Sequence, residues 1–277
     1  QFPWKNIGYV TNGVHHYTWV CNSFASLFDK FFPGWKTKPE KLLGIDEVDS
    51  KILWNAHFDA KTDLLHYANS QLSKALDPNI LTIGFARRAA SYKRAQLIFR
   101  DAEKLIKLGE GKIQLIFAGK AHPNDKEGKE LIYEIIKNAK KFDDRIKIIY
   151  LENYNMWLGK LITTGVDIWL NTPLRPNEAS GPSGMKSALN GVLNLSILDG
   201  WWEEGCIDKV NGWSIGESNL TDDEADANSL YNVLEKEVIP VFYTDRSKWI
   251  SMMKNAIKTG VNFTSQRMVQ DYLNKYY

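Results

Sequence analysis

The sequence predicts an α/β fold built on a doubly wound parallel sheet with flanking helices, and three observations predict it. Short β-branched apolar runs recur from Asn79 onward, at "ILTIGFA" (80–86), "KIQLIFAG" (112–119), "RIKIIYL" (145–151), "VDIWLN" (166–171) and "VLNLSIL" (192–198). Amphipathic helical patterns separate them, and continuous apolar strands of this kind belong to sheets covered on both faces. Polar and glycine residues collect just past the strands: Arg87-Arg88, Gly119-Lys120, Glu152-Asn153-Tyr154, Thr172-Pro173 and Asp199-Gly200. A Rossmann-like sheet binds ligands along that rim, at the carboxyl ends of its strands.

Taken in order, the chain opens with "TNGVHHYTW" (11–19), in which Asn12-Gly13 makes a turn. His15 and His16 are adjacent and point apart on most backbones, so polar or structural roles are expected of them, and no metal site is expected. Residues 46–76 carry one long helical pattern. Within the sheet region, 92–109 and 128–142 read as amphipathic helices. Beyond Trp213, helical patterns at roughly 222–240 and 246–259 precede a short tail. The acidic "TDDEADA" (221–227) suits the start of the first of these two helices. The expected organisation is 1–76 as an interlobe segment with connecting helices, 77–220 as the Rossmann-like domain and 221–277 as C-terminal helices.

Composition narrows the function. The 277 residues are 44% apolar and 25% charged, an ordinary globular balance. Thirty-five Lys+Arg against 33 Asp+Glu leave a net charge of +2, so neither a nucleic-acid nor a membrane footprint is expected and cationic chemistry has to be local. Cys21 and Cys206 lack metal-like spacing, which argues against a zinc site or a disulfide scaffold. No apolar run reaches the ~18 residues of a membrane span. The chain starts Gln-Phe-Pro-Trp and reads as a piece of a longer polypeptide.

Cations concentrate in "FARRAASYKRA" (85–95), where a strand is expected to feed a helix through Arg87, Arg88, Tyr92, Lys93 and Arg94. Free N–H groups at the helix start, beside two arginines and a lysine, would make a dianion site. A solvated basic helix start is the other reading. In "NEASGPSGMKSALNGV" (177–192), Glu178 precedes Ala179-Ser180-Gly181, whose small side chains leave backbone N–H groups accessible. Gly181, Ser183 and Gly184 open a helix with Met185, Leu189 and Val192 on its apolar face, and Lys186 falls in the first turn. Partial burial disfavours its charged form, and neutral lysine amines condense with aldehydes. Alternatively, Lys186 snorkels over a glycine-rich loop. In "LDGWWEEG" (198–205), Trp201 and Trp202 suit sugar stacking and core packing equally.

The ordered set "TNGVHHYTW", "FARRAASYKRA", "AGKAHPND", "YLENYNMWL", "NEASGPSGMK", "NGVLNLSILDGWW" and "FTSQRMVQDY" resembles the α-glucan (glycogen and starch) phosphorylase family, above all its shorter prokaryotic members. The resemblance runs over nearly the whole chain. It implies the C-terminal lobe of a two-lobed GT-B glycosyltransferase fold, with most of the N-terminal lobe absent. It also implies phosphorolysis of terminal α-1,4 linkages of a glucan or maltooligosaccharide by inorganic phosphate, giving α-glucose 1-phosphate, with pyridoxal phosphate as cofactor. A homodimer in the full-length enzyme, a cytoplasmic location and an isolated chain that is inactive alone are further expectations from the resemblance.

By that resemblance Lys186 matches the lysine that holds pyridoxal phosphate as a Schiff base. Trp19 and Tyr154 match aromatic walls of the cofactor pocket, with Arg87, Lys93, Ser183 and Gly184 beside the cofactor. Arg88 and Lys93 match positions that hold the substrate and cofactor phosphates. Glu178, Ala179, Ser180 and Gly181 match the loop that hydrogen-bonds the glucosyl hydroxyls, with Asn12 and Tyr92 as further substrate contacts. Lys186, Arg88, Lys93 and Glu178 form the expected catalytic set. In the family the cofactor's phosphate works beside the substrate's, relaying a proton to the glycosidic oxygen. Two dianions need cations between them, since even unit charges ~4 Å apart repel by about 4 kcal/mol at an effective dielectric of ~20.

Two positions depart from the family pattern. Pro182 stands where many members have threonine, which removes a hydroxyl and a backbone donor, and Ala90 replaces a polar residue common in the larger animal and plant enzymes. A nucleotide-sugar glucosyltransferase of the glycogen synthase type shares the two-lobed architecture, yet it needs no aldehyde-binding lysine. A non-catalytic glucan-binding module is the third reading.

Overall fold

The computed structural model describes residues 8–71, 75–142, 145–216 and 222–277. Six strands run through it: β1 (Leu81–Arg88), β2 (Ile113–Lys120), β3 (Lys147–Leu151), β4 (Ile168–Asn171), β5 (Leu193–Ile197) and β6 (Gly212–Ile215). All pair in parallel, in the order β3-β2-β1-β4-β5-β6. This is the expected doubly wound, Rossmann-like α/β sheet, with β6 as a strand that the apolar pattern did not disclose. Gly-Trp-Ser-Ile is only four residues long, and a Cβ on Gly212 would meet the Asn194 carbonyl oxygen of β5 at 2.5 Å.

β1 and β2 are buried along their whole length except at the last residue, which is Arg88 in one and Lys120 in the other. They pair over eight positions, whereas β1 meets β4 only at Ile83↔Ile168 and Gly84↔Trp169. The strand order reverses between β1 and β4, and the two strands part after Gly84. A crevice therefore opens at their carboxyl ends, the place where such sheets hold ligands.

The amino ends of the same strands are closed by charge. Asp167 Oδ2 accepts from Lys61 Nζ at 2.5 Å and from the Thr82 amide at 2.7 Å, while Oδ1 accepts from His57 Nε2 at 2.9 Å. Lys61 and His57 come from the helix Ser50–Gln71, and the side chains of all three are at most 1% exposed. Burial alone would raise the Asp167 carboxyl, but Lys61 and His57 hold it below its ordinary value.

Several helix expectations change. Of 92–109 only Ala102–Gly109 is α-helical, started by Asp101, whose side chain accepts from the Lys104 amide at 2.9 Å. Ahead of it, short 3₁₀ turns at Ser91–Lys93 and Leu97–Phe99 flank Arg94, which lies in the left-handed region at φ 46°. The Arg94 side chain accounts for the break. It donates to the Thr172 and Pro173 carbonyls at 2.9 Å each and pairs with Asp223 at 2.8 Å and Asp226 at 2.6 Å. The basic segment thus has no α-helix N-terminus to offer, and its cation cluster rests on side chains.

The pattern at 46–76 resolves into a 3₁₀ helix, Pro39–Glu47, followed by Ser50–Gln71; residues 72–74 lie outside the described residues. The pattern at 222–240 becomes Asp223–Val233, a π-helical turn at Leu234–Val238, and Ile239–Thr244. Pro240, which has no N–H to donate, sits just after that turn. The third pattern is Arg246–Val261, and the short tail is itself a helix, Ser265–Tyr276, capped by Thr264. The expected boundary at 220/221 and the opening Gln-Phe-Pro-Trp lie outside the described residues.

Candidate active site

Arg87, next to last in β1, reaches across the crevice to the loop that follows β4. Its Nη1 donates to Glu178 Oε2 at 2.7 Å and its Nη2 donates to Ser183 Oγ at 3.1 Å. Lys93 Nζ donates to the same Glu178 oxygen. The side chains of Arg87, Lys93 and Glu178 are only 6%, 11% and 9% exposed, so three charges share one dry site. Burial alone would raise the Glu178 carboxyl, yet Arg87 and Lys93 keep it below its ordinary value. Burial lowers the Arg87 guanidinium, with Glu178 opposing.

Lys186 lies on the helix Pro182–Ala188, one turn beyond Ser183. Its Nζ stands 3.3 Å from the centroid of the Trp19 ring. Burial is the one cause that shifts this amine, from 10.5 down to about 8. Asn190 fixes the pair. Its Nδ2 donates to the Lys186 carbonyl at 2.8 Å and the Trp19 carbonyl at 3.0 Å, while its Oδ1 accepts from the Cys21 amide at 2.9 Å. One fully buried amide therefore joins two segments that are 171 residues apart.

The loop between them is tied from below. Asp199, just past β5, accepts from the Glu178 amide at 2.9 Å and the Gly200 amide at 3.0 Å, and the Trp201 amide donates to the Ser180 carbonyl at 2.8 Å. Gly181 occupies the left-handed region at φ 74°, which glycine adopts without steric cost, and the helix begins there with Pro182 at its first position. A Cβ on Gly184 would meet Asn194 Oδ1 at 2.6 Å and Trp201 Nε1 at 2.7 Å. Only glycine lets this helix settle so close to β5 and the tryptophan.

The other expected residues divide. Arg88 is exposed and, with Arg87 and Lys93, is among the residues lining one small, mostly apolar cavity. Tyr92 lies under the Lys93 ammonium at 4.5 Å. Tyr154 is near enough to Arg87 to feel its charge, though burial dominates and pushes the phenol up. Ala179 is exposed, and Ser180 Oγ is a buried atom with no hydrogen-bond partner among the described residues. Asn12 is not drawn into the cluster: its side chain is exposed, and its carbonyl accepts from Arg267 at 3.1 Å.

Trp201 and Trp202 are each 1% exposed and belong to the core, which removes the sugar-stacking reading. His15 caps a short helical turn and His16 bonds the Lys36 carbonyl at 2.9 Å, both structural. Cys21 and Cys206 are free thiols. Among the described residues, no group of three or more His, Cys, Asp or Glu could hold a metal ion, and no helix is long and apolar enough to cross a membrane. Sequence reasoning missed Asn190 and Asp199 as organisers of the site. In the sequence Asp199 reads only as a strand end, and Asn190 carries no signal beyond its place in the loop-helix segment.

Residues 2–204 match the model of the carbohydrate phosphorylase family. The chain is 42% identical to a maltodextrin phosphorylase of Thermococcus litoralis over 97% of its own length and 35% of the relative's. It is 43% identical to a glycogen phosphorylase of Aquifex aeolicus over 98% of its length and 44% of the relative's. For a glycogen phosphorylase of Mycobacterium tuberculosis the figures are 38%, 98% and 35%. The chain thus spans less than half the length of the curated relatives it matches. The span matched, 2–204, and these relatives show that the chain belongs to the carbohydrate phosphorylase family.

Proposed function

We propose that the polypeptide containing this chain cleaves terminal α-1,4-glucosidic bonds with inorganic phosphate, releasing α-glucose 1-phosphate, and that this chain supplies the cofactor- and phosphate-binding lobe of a GT-B pair. The observation that carries the reading is Lys186, a half-buried amine lowered to about 8, seated on an aromatic ring and one helical turn from a serine that Arg87 holds.

That donor set fits pyridoxal phosphate. Lys186 offers an amine for its aldehyde, Trp19 a flat wall, and Arg87, Lys93 and Ser183 donors for its phosphate. When bound, the cofactor supplies a phosphate group able to exchange a proton with the substrate's phosphate. Arg88, at the exposed end of β1, is proposed to bind that second phosphate, and the cations together offset the repulsion between the two dianions. Glu178, Ala179, Ser180 and Gly181 are proposed to hold the glucosyl hydroxyls, joined by Asn12 and Tyr92, with Tyr154 as a second wall. Pro182 contributes no N–H, so dianion binding rests on Arg87 and Lys93. A facing lobe that excludes water and the homodimer belong, in this proposal, to the parent polypeptide.

Incubation with pyridoxal phosphate, borohydride reduction and peptide mass mapping test the reading. A reduced adduct on Lys186 that disappears in Lys186→Ala is the expected result. A well-folded chain with no label on Lys186 would overturn it.

A further inference from the structure

We infer that the Glu178 carboxylate and a phosphate-class dianion compete for Arg87 and Lys93, so that arrival of the dianion is what turns Glu178 toward the sugar. The inference rests on the reading above, in which the same carboxylate serves glucosyl hydroxyls.

Glu178 meets both cations through a single oxygen, Oε2, and Arg87 directs its second nitrogen to Ser183. Arg87 and Lys93 share one carboxylate oxygen, and between them they carry more donor hydrogens than Oε2 can accept. A dianion brings three or more acceptor oxygens and twice the charge. It gives each cation its own acceptor and lies within reach of Ser183 Oγ, which Arg87 already contacts. While Oε2 is shared by both cations, only Oε1 is left for sugar hydroxyls; a released carboxylate offers both oxygens.

Releasing Glu178 asks little of the backbone. The Glu178 amide is held by Asp199, and the Ser180 carbonyl is held by the Trp201 amide, neither through the ion pairs. The exchange is therefore a swing of one side chain on a fixed loop. Because coupling between two ligands is reciprocal, a dianion raises sugar affinity by the same factor by which sugar raises dianion affinity.

Calorimetry on the 277-residue chain tests this, with three probes: sulfate as a dianion that does not titrate near neutrality, pyridoxal 5′-phosphate, and pyridoxal without its phosphate. In Glu178→Gln the affinity for dianions should rise about tenfold or more, because a charge-assisted competitor is gone. Pyridoxal affinity should stay unchanged. Glu178→Asp, which keeps the charge and loses reach, should fall between. Damage to the fold would weaken binding, the opposite direction.

Tightening of pyridoxal phosphate alone assigns the dianion to the cofactor; tightening of sulfate alone assigns it to free inorganic anion. Unchanged or weaker affinity for both dianions, in a Glu178→Gln chain that melts like the parent, overturns the competition. Should that variant melt early, Glu178→Asp decides, and affinities no tighter than the parent's overturn it. Borohydride labelling of Lys186 in the same samples reports the cofactor reading separately, so tighter sulfate binding without a Lys186 label keeps the competition and sinks the cofactor.

Discussion

At the amino ends of β1 and β4, the Asp167 carboxylate gives both its oxygens to three donors; beyond the carboxyl ends of the same strands, Glu178 gives one oxygen to two cations. Both clusters are dry and both rest on β1. The first is crowded by the helix Ser50–Gln71, and Lys61 completes it by donating to the Ile80 carbonyl at 2.8 Å. The second faces a crevice and turns two cations onto one carboxylate oxygen. Buried ions thus serve two ends in one sheet: one cluster, saturated, locks a helix to it, and the other is where the proposed anion site lies. Position along the strands separates the two cases, as expected of a sheet whose ligands gather at carboxyl ends.

The contrast can be broken by mutation, and the largest effect belongs to the saturated end. Asp167→Ala strands Lys61 and His57 without their acceptor, and removing one partner of such a buried cluster costs about 3–5 kcal/mol. Urea unfolding should show that loss, and a simultaneous Lys61→Met should recover most of it. A loss below the error of the fit would mean that the cluster is not the lock described here. Neither change should alter dianion affinity.

Asn190→Ala comes next. It leaves two carbonyls and one amide without their shared partner, at about 1–3 kcal/mol, and lets Trp19 drift from Lys186. Labelling of Lys186 should slow in step, whereas a variant equally destabilised at the far end of the sheet should keep the parent's labelling rate.

The gentlest probe is pH. A neutral amine is the nucleophile, so the labelling rate should climb about tenfold per unit below the midpoint and level off above it. The plateau should begin near pH 8, because burial has brought Lys186 down to about 8 from 10.5. A midpoint near 10.5 would show that the amine does not feel its burial. At the acid end the sign is different: Glu178 and Asp167 are both held below their ordinary values of 4.5 and 3.8. The stability they contribute is present above those values and lost as the pH falls through the lower folded ones.

Much of the ligand-facing end was legible in the sequence because continuous apolar runs fix where strands stop, and the residues just past each stop share one rim. Arg87 and Arg88 are read off that way, whereas Lys93, Glu178 and Lys186 come from the segments 85–95 and 177–192, and the resemblance implies the roles of all five. The saturated cluster was invisible: Asp167 reads as part of a strand and His57 and Lys61 as part of a helical pattern, with more than a hundred residues between them. No local periodicity carries a pairing at that distance. The helix expected at 92–109 failed for the same reason, since Arg94 is held in its left-handed conformation by Thr172, Pro173, Asp223 and Asp226, all remote in sequence. Among the described residues only the backbone of Asn12 is tied, by Arg267, so its proposed sugar contact is carried by the motif alone.

The segment bearing Asn12 has a further consequence. Val14 forms a parallel bridge with Thr264: its amide donates to the Phe263 carbonyl and its carbonyl accepts from the Ser265 amide, both at 2.9 Å, and Arg267 reaches back to the Thr11 carbonyl at 2.9 Å. On a ribosome adding ~5–20 residues per second, position 264 emerges roughly 12–50 s after position 14. Throughout that interval the early segment has no docking strand, while the sheet from β1 to β6 can already assemble behind it. The residues around position 264 therefore finish a segment made some 250 residues earlier.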